Sequence, residues 1–202
     1  MYRVCLVCLG NICRSPMAEV VLRAELERAG LSGRVEVDSA GTGDWHLGEP
    51  MDRRARAELS RRGYDGAGHS ARQFEPSWFE RYDLVLAMDA SNLARLRRMA
   101  PDREAADRTV LFLSFDPARA GNGGDLEVPD PYNGGPEEYA LVFDLVQPAA
   151  RGLADQLAEL LADRPAASGG APAGTRQDKA GCGGGSGGSG GSGVHRIDGP
   201  GL

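Results

Sequence analysis

Two residues near the start of the chain have the types and the spacing to handle a phosphate group. Cys8 opens the segment Cys8-Leu9-Gly10-Asn11-Ile12-Cys13-Arg14-Ser15, and Arg14 follows it by six positions. The segment comes directly after an apolar run, Tyr2 to Val7, suited to a buried strand, and directly before a helical pattern that opens at Pro16. A loop between strand and helix turns successive backbone N–H groups toward one point, and the positive end of the helix dipole adds to them. Such a loop is an anion cradle. A cysteine at its mouth feels both fields, which favour a thiolate and so make a nucleophile aimed at bound phosphate. The planar fork of Arg14, coming back around the loop, can give two parallel hydrogen bonds to phosphoryl oxygens, a geometry that lysine lacks. The spacing alone is a weak signal, and its place between strand and helix is what gives it weight.

The elements that must position these residues alternate along the chain. Short runs rich in Val and Leu, namely Tyr2 to Val7, Arg34 to Ser39, Leu84 to Met88 and Thr109 to Leu113, read as buried strands. Amphipathic segments at Pro16 to Ala29, Asp52 to Arg62, Ser77 to Tyr82, Ala90 to Met99 and Glu137 to Leu161 read as helices. The first helix carries an apolar stripe of Val20, Val21, Ala24 and Leu26. The resulting order, β-α-β-α-α-β-α-β-α, is that of a parallel sheet covered by helices on both faces. The Cys8 loop then lies at the carboxyl edge of the sheet, where open α/β sheets bind ligands. Pro148 falls inside the last helical pattern, which predicts a kink or split near Val146.

Composition narrows the function classes. A formal charge of −6 in 202 residues is the wrong sign for a general nucleic-acid binder. No stretch approaches the ~20 apolar residues of a membrane helix, and the N-terminal apolar run has no cleavage site after it. Four cysteines, two of them crowded at positions 8 and 13, suit intracellular thiol chemistry better than a secreted disulfide framework. These features predict a cytoplasmic protein without nucleic-acid or membrane partners. Cys5 falls in the first strand and reads as core. The histidines at 46, 69 and 195 are scattered, which predicts no metal site. After Arg164 the composition changes: 14 of the 29 glycines lie in the last 38 residues. One domain over 1–164 and a disordered Gly/Ser-rich tail over 165–202, with Cys182 as an exposed thiol, are therefore expected.

The stretch VCLGNICRSPMAE at positions 7 to 19 resembles the active-site loop of the low-molecular-weight protein tyrosine phosphatases. The resemblance continues through DSAGTGDWH at 38 to 46, HSARQ at 69 to 73, DLVLAMDASNL at 83 to 93, SFDP at 114 to 117 and PDPYNGG at 129 to 135. Several separated motifs in one order make the match specific. With the alternation above, it implies a three-layer sandwich around a four-stranded parallel sheet in the order 2-1-3-4. It also implies hydrolysis of phosphotyrosine in proteins without metal or cofactor. Cys8 would form a cysteinyl-phosphate, Arg14 would clamp the phosphoryl group, and Asp130 would protonate the leaving phenolate and then activate water.

By the same resemblance Leu9, Gly10, Asn11, Ile12, Cys13 and Ser15 would complete the phosphate-binding loop. Asn11, Ser15, Ser39 and His69 would form a hydrogen-bonded network beneath it, and Trp45 and Tyr132 would wall the pocket. Cys13 would be able to close a reversible disulfide with Cys8. Asn133 stands where the family often has a second tyrosine, which argues against regulation through tandem tyrosines. The partners implied are phosphotyrosine proteins, a tyrosine kinase among the candidates, with the chain acting as a monomer. Three rivals carry less. A thiol-dependent arsenate reductase needs further cysteines, and residues 74 to 181 contain none. The related arginine phosphatases carry threonine where this chain has Ile12. A silent phosphotyrosine-binding module would be expected to lack a catalytic group, and Cys8, Arg14 and Asp130 are all present.

Overall fold

The computed structural model describes residues 1–121 and 124–162, so the expected tail, with Cys182 and His195, lies outside the described residues. Strand β1 (Tyr2–Cys8) runs into helix α1 (Arg14–Arg28), β2 (Val35–Gly41) and α2 (Arg53–Arg61). A 3₁₀ turn (Pro76–Glu80) precedes β3 (Leu84–Ala87) and α3 (Ala90–Met99). Helix α4 (Arg103–Asp107), β4 (Thr109–Leu111), a second 3₁₀ turn (Phe112–Phe115) and the long α5 (Pro136–Ala162) complete the order. The four strands are parallel and lie in the order β2-β1-β3-β4, as the sequence implies.

Both faces of the central strands are buried, so their alternation sorts side chains between two cores rather than between core and water. From β1, Tyr2, Val4, Leu6 and Cys8 pack with α1, α2 and α5, while Cys5 and Val7 pack with the first 3₁₀ turn, α3 and α4. From β3, Leu84 and Leu86 take the first side, and Val85 and Ala87 the second. A sheet covered in this way leaves only its strand ends for chemistry.

Several boundaries differ from the sequence reading. Helix α1 starts at Arg14, because Pro16 in the first turn has an N–H position that needs no partner inside the helix. Its buried apolar residues are Met17, Ala18, Val21, Leu22 and Leu26, with Val20 and Ala24 only partly covered. The expected helix at Ser77 to Tyr82 is a 3₁₀ turn beginning at Pro76. Helix α4 is a single short helix capped by Asp102, which accepts from the Ala105 N–H at 2.8 Å, and it is too short to show a period. Strand β4 ends at Leu111, where the chain turns into the second 3₁₀ segment.

Helix α5 is continuous through Pro148 and is not split near Val146. The flanking residues Val146, Ala149, Ala150 and Leu153 are fully buried against the core, and that packing holds the helix through the missing hydrogen bond. Gly152 marks the tightest contact, since a methyl there would run into the Phe115 carbonyl. Helix propensity alone would favour Gly152→Ala by about 1 kcal/mol. Backbone on backbone cannot give way, so Gly152→Ala should instead lower stability in urea unfolding; a stabilised variant would contradict this packing.

Candidate active site

The site is built at the carboxyl edge of the sheet. Register pairs Cys8 with Gly41 at the ends of β1 and β2, and the chain past β2 keeps the ladder going, with Thr42 N–H donating to Cys8 O and Gly43 N–H to Leu9 O, both at 2.8 Å. Gly41 lets the loop lie this close, because a Cβ there would sit 2.8 Å from Leu9 O and 3.1 Å from Asn11 N. Past β3, Met88 O accepts from Val128 N–H at 2.7 Å, which lays the segment leading to Asp130 against the same edge.

Between Cys8 and Arg14 the chain folds around Asn11, which holds φ 56° and is the one non-glycine residue with positive φ among those described. Its groups are all used. The backbone N–H points at Cys8 Sγ at 3.2 Å, and the backbone carbonyl accepts from His69 Nε2 at 2.7 Å. The side-chain amide donates to Ser15 Oγ and Ser39 Oγ, each at 2.9 Å, and its oxygen accepts from Arg72 N–H at 2.8 Å. Ser15 Oγ lies 3.0 Å from Cys8 Sγ and 3.2 Å from Ala40 O. One hydroxyl proton can serve only one of these. With Cys8 as a thiol, Ser15 donates to Ala40; with a thiolate it can turn to the sulfur while Asn11 supplies its other bond.

Arg14 is buried, and its two terminal nitrogens are separately engaged. Nη1 donates to Asp89 Oδ2 at 2.6 Å and to Val128 O at 3.1 Å, while Nη2 donates to Asp130 Oδ2 at 2.7 Å. Burial works against the charge, and Cys8, Asp130 and Asp89 together outweigh it, leaving the guanidinium above its ordinary pKa. Asp89 also caps α3 through its other oxygen, at 2.7 Å from Asn92 N.

Cys8, Leu9, Gly10, Ile12, Cys13 and Arg14 floor a cavity of about 380 Å³. Trp45, His46, Asp130, Tyr132 and Asn133 complete its lining. Trp45, Tyr132 and Leu9 are exposed. The arrangement can hold a tetrahedral oxyanion over a sulfur, with a guanidinium beside it, a carboxyl at the edge, and aromatic rings at the mouth.

The family model described as low molecular weight phosphotyrosine protein phosphatase matches residues 3–163. The chain belongs to that family. A low molecular weight protein-tyrosine-phosphatase of Streptomyces coelicolor is 53% identical over 165 residues, covering 82% of this chain and 99% of that protein. Among solved structures, YfkJ from Bacillus subtilis superposes with a TM-score of 0.71 at 35% identity, covering 79% of this chain and 96% of that one. The protein tyrosine phosphatase of Entamoeba histolytica, crystallised with Hepes in its active site, gives a TM-score of 0.72 at 33% identity over 79% and 98% of the two chains. By class the chain is a protein tyrosine phosphatase, a phosphoric monoester hydrolase.

The structure brings every sequence-predicted residue to the cavity or to the network beneath its loop. Asn11, Ser15, Ser39 and His69 lie behind the loop, and the others line the cavity. Three residues were missed. His46, one of the scattered histidines of the sequence, has its ring over Gly10 and 6.0 Å from the Tyr132 ring, held by Glu49 at 2.7 Å. Asn133 lines the rim, and Asp89 pairs with Arg14. Asp89 stood inside the quoted motif DLVLAMDASNL with the signature of a helix cap, which hides its second role. Cys5, Cys8 and Cys13 are free thiols. Burial pushes the Cys13 thiol up to about 12, against a contact with Tyr139 Oη at 3.5 Å.

Burial also pushes the His69 imidazole below its ordinary value of 6.5, against the pull of the Asn11 carbonyl. As pH falls, the unfolded chain therefore takes up this proton first, and stability is lost from near 6.5 downward until the folded imidazole titrates too. The depressed carboxyls Asp38, Asp52 and Glu58 act in a lower window, below their ordinary values of 3.8 and 4.5. Urea unfolding at about pH 7.5 and about pH 5.5 should show a larger loss for the wild type than for His69→Gln. Equal losses would contradict the partly buried neutral imidazole.

Proposed function

We propose that the chain hydrolyses phosphotyrosine in proteins through a cysteinyl-phosphate on Cys8, without a metal. The observation that carries the reading is the convergence on one cavity of Cys8, the Asn11-centred loop, Arg14 and Asp130. In the first step the Cys8 sulfur attacks phosphorus, an S–P bond forms, and the bond from phosphorus to the tyrosine oxygen breaks. Asp130 gives its proton to that oxygen, so the leaving group departs as a neutral phenol. In the second step water attacks phosphorus, Asp130 takes the water proton, and the S–P bond breaks to release phosphate and the thiolate.

Charge on the transferring group is met by Arg14 and by backbone N–H groups at the start of α1, which supply the field that a metal would otherwise provide. Arg14 Nη2 leaves Asp130 for a phosphoryl oxygen, and this same exchange frees the carboxyl for the leaving group. Asp89 keeps Nη1 in place meanwhile. Trp45 and Tyr132 stand where a phenyl ring would enter, and a flat ring reaches the floor where a shorter phosphoserine would not. Residues 1–164 would form the catalytic unit, since the family match covers residues 3–163. Phosphotyrosine proteins, tyrosine kinases among them, are the proposed substrates.

Asp130→Ala should lose roughly 10²–10⁴-fold in rate with phenols that need protonation and far less with activated leaving groups. Cys8→Ser should abolish turnover yet retain inorganic phosphate binding, while Arg14→Ala should lose both. A uniform loss across leaving groups in Asp130→Ala would remove it as the acid.

A further inference from the structure

We propose that Arg54 is the positioning residue of Asp130, holding the turn that carries this carboxyl at a set distance from the phosphate loop. The inference rests on the reading of Asp130 as the acid. Arg54 lies in the first turn of α2, and that helix end is tied to the loop because Asp52 N–H donates to Ile12 O at 2.8 Å. From there its guanidinium reaches the other wall of the cavity. Nη1 donates to Gly134 O at 2.9 Å and Nη2 to Tyr132 O at 3.0 Å, so two carbonyls of the turn are held by one side chain. The turn in turn holds the acid, with Tyr132 N–H donating to Asp130 Oδ1 at 3.2 Å.

The strut is itself fixed on three sides. Asp52 accepts from Nε at 3.2 Å and from Nη2 at 2.9 Å, and it caps the helix by accepting from Arg54 N–H at 2.8 Å. The guanidinium carbon lies 4.9 Å from the Tyr139 ring centroid and 6.0 Å from that of Tyr132. Two carbonyls and a carboxylate, reached from Nε and both terminal nitrogens, suit the guanidinium fork, whose spread a point-like ammonium does not copy.

The contact matters most during turnover. Apart from Arg54, the acid-bearing segment is anchored upstream by Val128, through its N–H on Met88 O and its carbonyl on Arg14 Nη1, by Glu127 on the Ala90 N–H, and at the acid itself by the Asp130–Arg14 pair. The last of these must open when Arg14 takes a phosphoryl oxygen. Arg54 then holds the carboxyl near the leaving group, and a misplacement of about 1 Å there is enough to cost ~10²-fold.

The test measures kcat/KM of the full chain for aryl phosphates from activated to unactivated phenols, with inhibition by inorganic phosphate alongside. Arg54→Met and Arg54→Lys should each lose about 10–10² fold with unactivated phenols and little with activated ones. Phosphate inhibition should stay within about threefold of wild type, because the Cys8 loop and Arg14 are untouched. On an Asp130→Ala background Arg54→Met should add no further leaving-group dependence. If Arg54→Met does not fold, Arg54→Lys carries the test. A loss equal for all leaving groups, or one confined to phosphate inhibition, overturns the proposal while Asp130 keeps its role. If Asp130→Ala itself shows no leaving-group dependence, the reading of the acid fails, and Arg54 loses its assignment with it.

Discussion

Asn11 is held in the left-handed region by partners from every side of the loop, and the site depends on that one turn. The conformation costs most L residues about 1–2 kcal/mol, and asparagine is among the few non-glycine types that visit it. Glycine would reach it more cheaply but would bring no amide. Here the amide joins Ser15 at the start of α1 to Ser39 on β2, while its oxygen takes the Arg72 N–H and its backbone carbonyl takes His69. Each neutral hydrogen bond contributes about 0.5–1.5 kcal/mol net, so together they offset the strain. The product of the turn is an N–H aimed at the Cys8 sulfur.

A second constraint couples the two walls of the cavity. Arg14 is buried and stands between Asp89, the cap of α3, and Asp130, which lines the cavity together with Trp45. Leaving such a guanidinium with no anion would be costly, so one carboxylate stays on it and the other can exchange for phosphate. Asp89 suits the permanent role because its second oxygen is committed to capping α3. Asp130 is the more exposed of the two and suits the exchanging role. Parallel topology makes this economical: β1, β2 and β3 deliver Cys8, Gly41 and Met88-Asp89 to the same edge, and no long excursion is needed to assemble the floor.

The legible part of this protein was its periodic and punctuated part. Four apolar runs became the four strands, since a sheet buried on both faces needs unbroken Val and Leu, and the Cys8 to Ser15 segment lay between strand and helix as read. Among short elements α4 escaped and the two 3₁₀ turns were read as a helix and as the end of a strand, because caps and neighbours set them rather than a repeat. The split read from Pro148 is absent for the opposite reason, since Val146, Ala149, Ala150 and Leu153 pack into the core on both sides of it. At the site, the residues proposed to act there stood in motifs that the sequence displays whole. Asp89 and Arg54 were hidden behind ordinary helix-start chemistry, and their reach to Arg14 at 2.6 Å and to Gly134 at 2.9 Å exists only once the chain is folded.

The proposed reaction depends on covalent transfer of phosphorus to the Cys8 sulfur, at which the Asn11 N–H points. Rapid quenching of the enzyme during turnover of an aryl phosphate, followed by peptide mapping, tests this directly. Phosphate attached to Cys8 in a bond that survives acid quench, formed and discharged at rates competent for turnover, is the predicted result. Full turnover with no phosphoenzyme, or with the phosphate on any other residue, would contradict it.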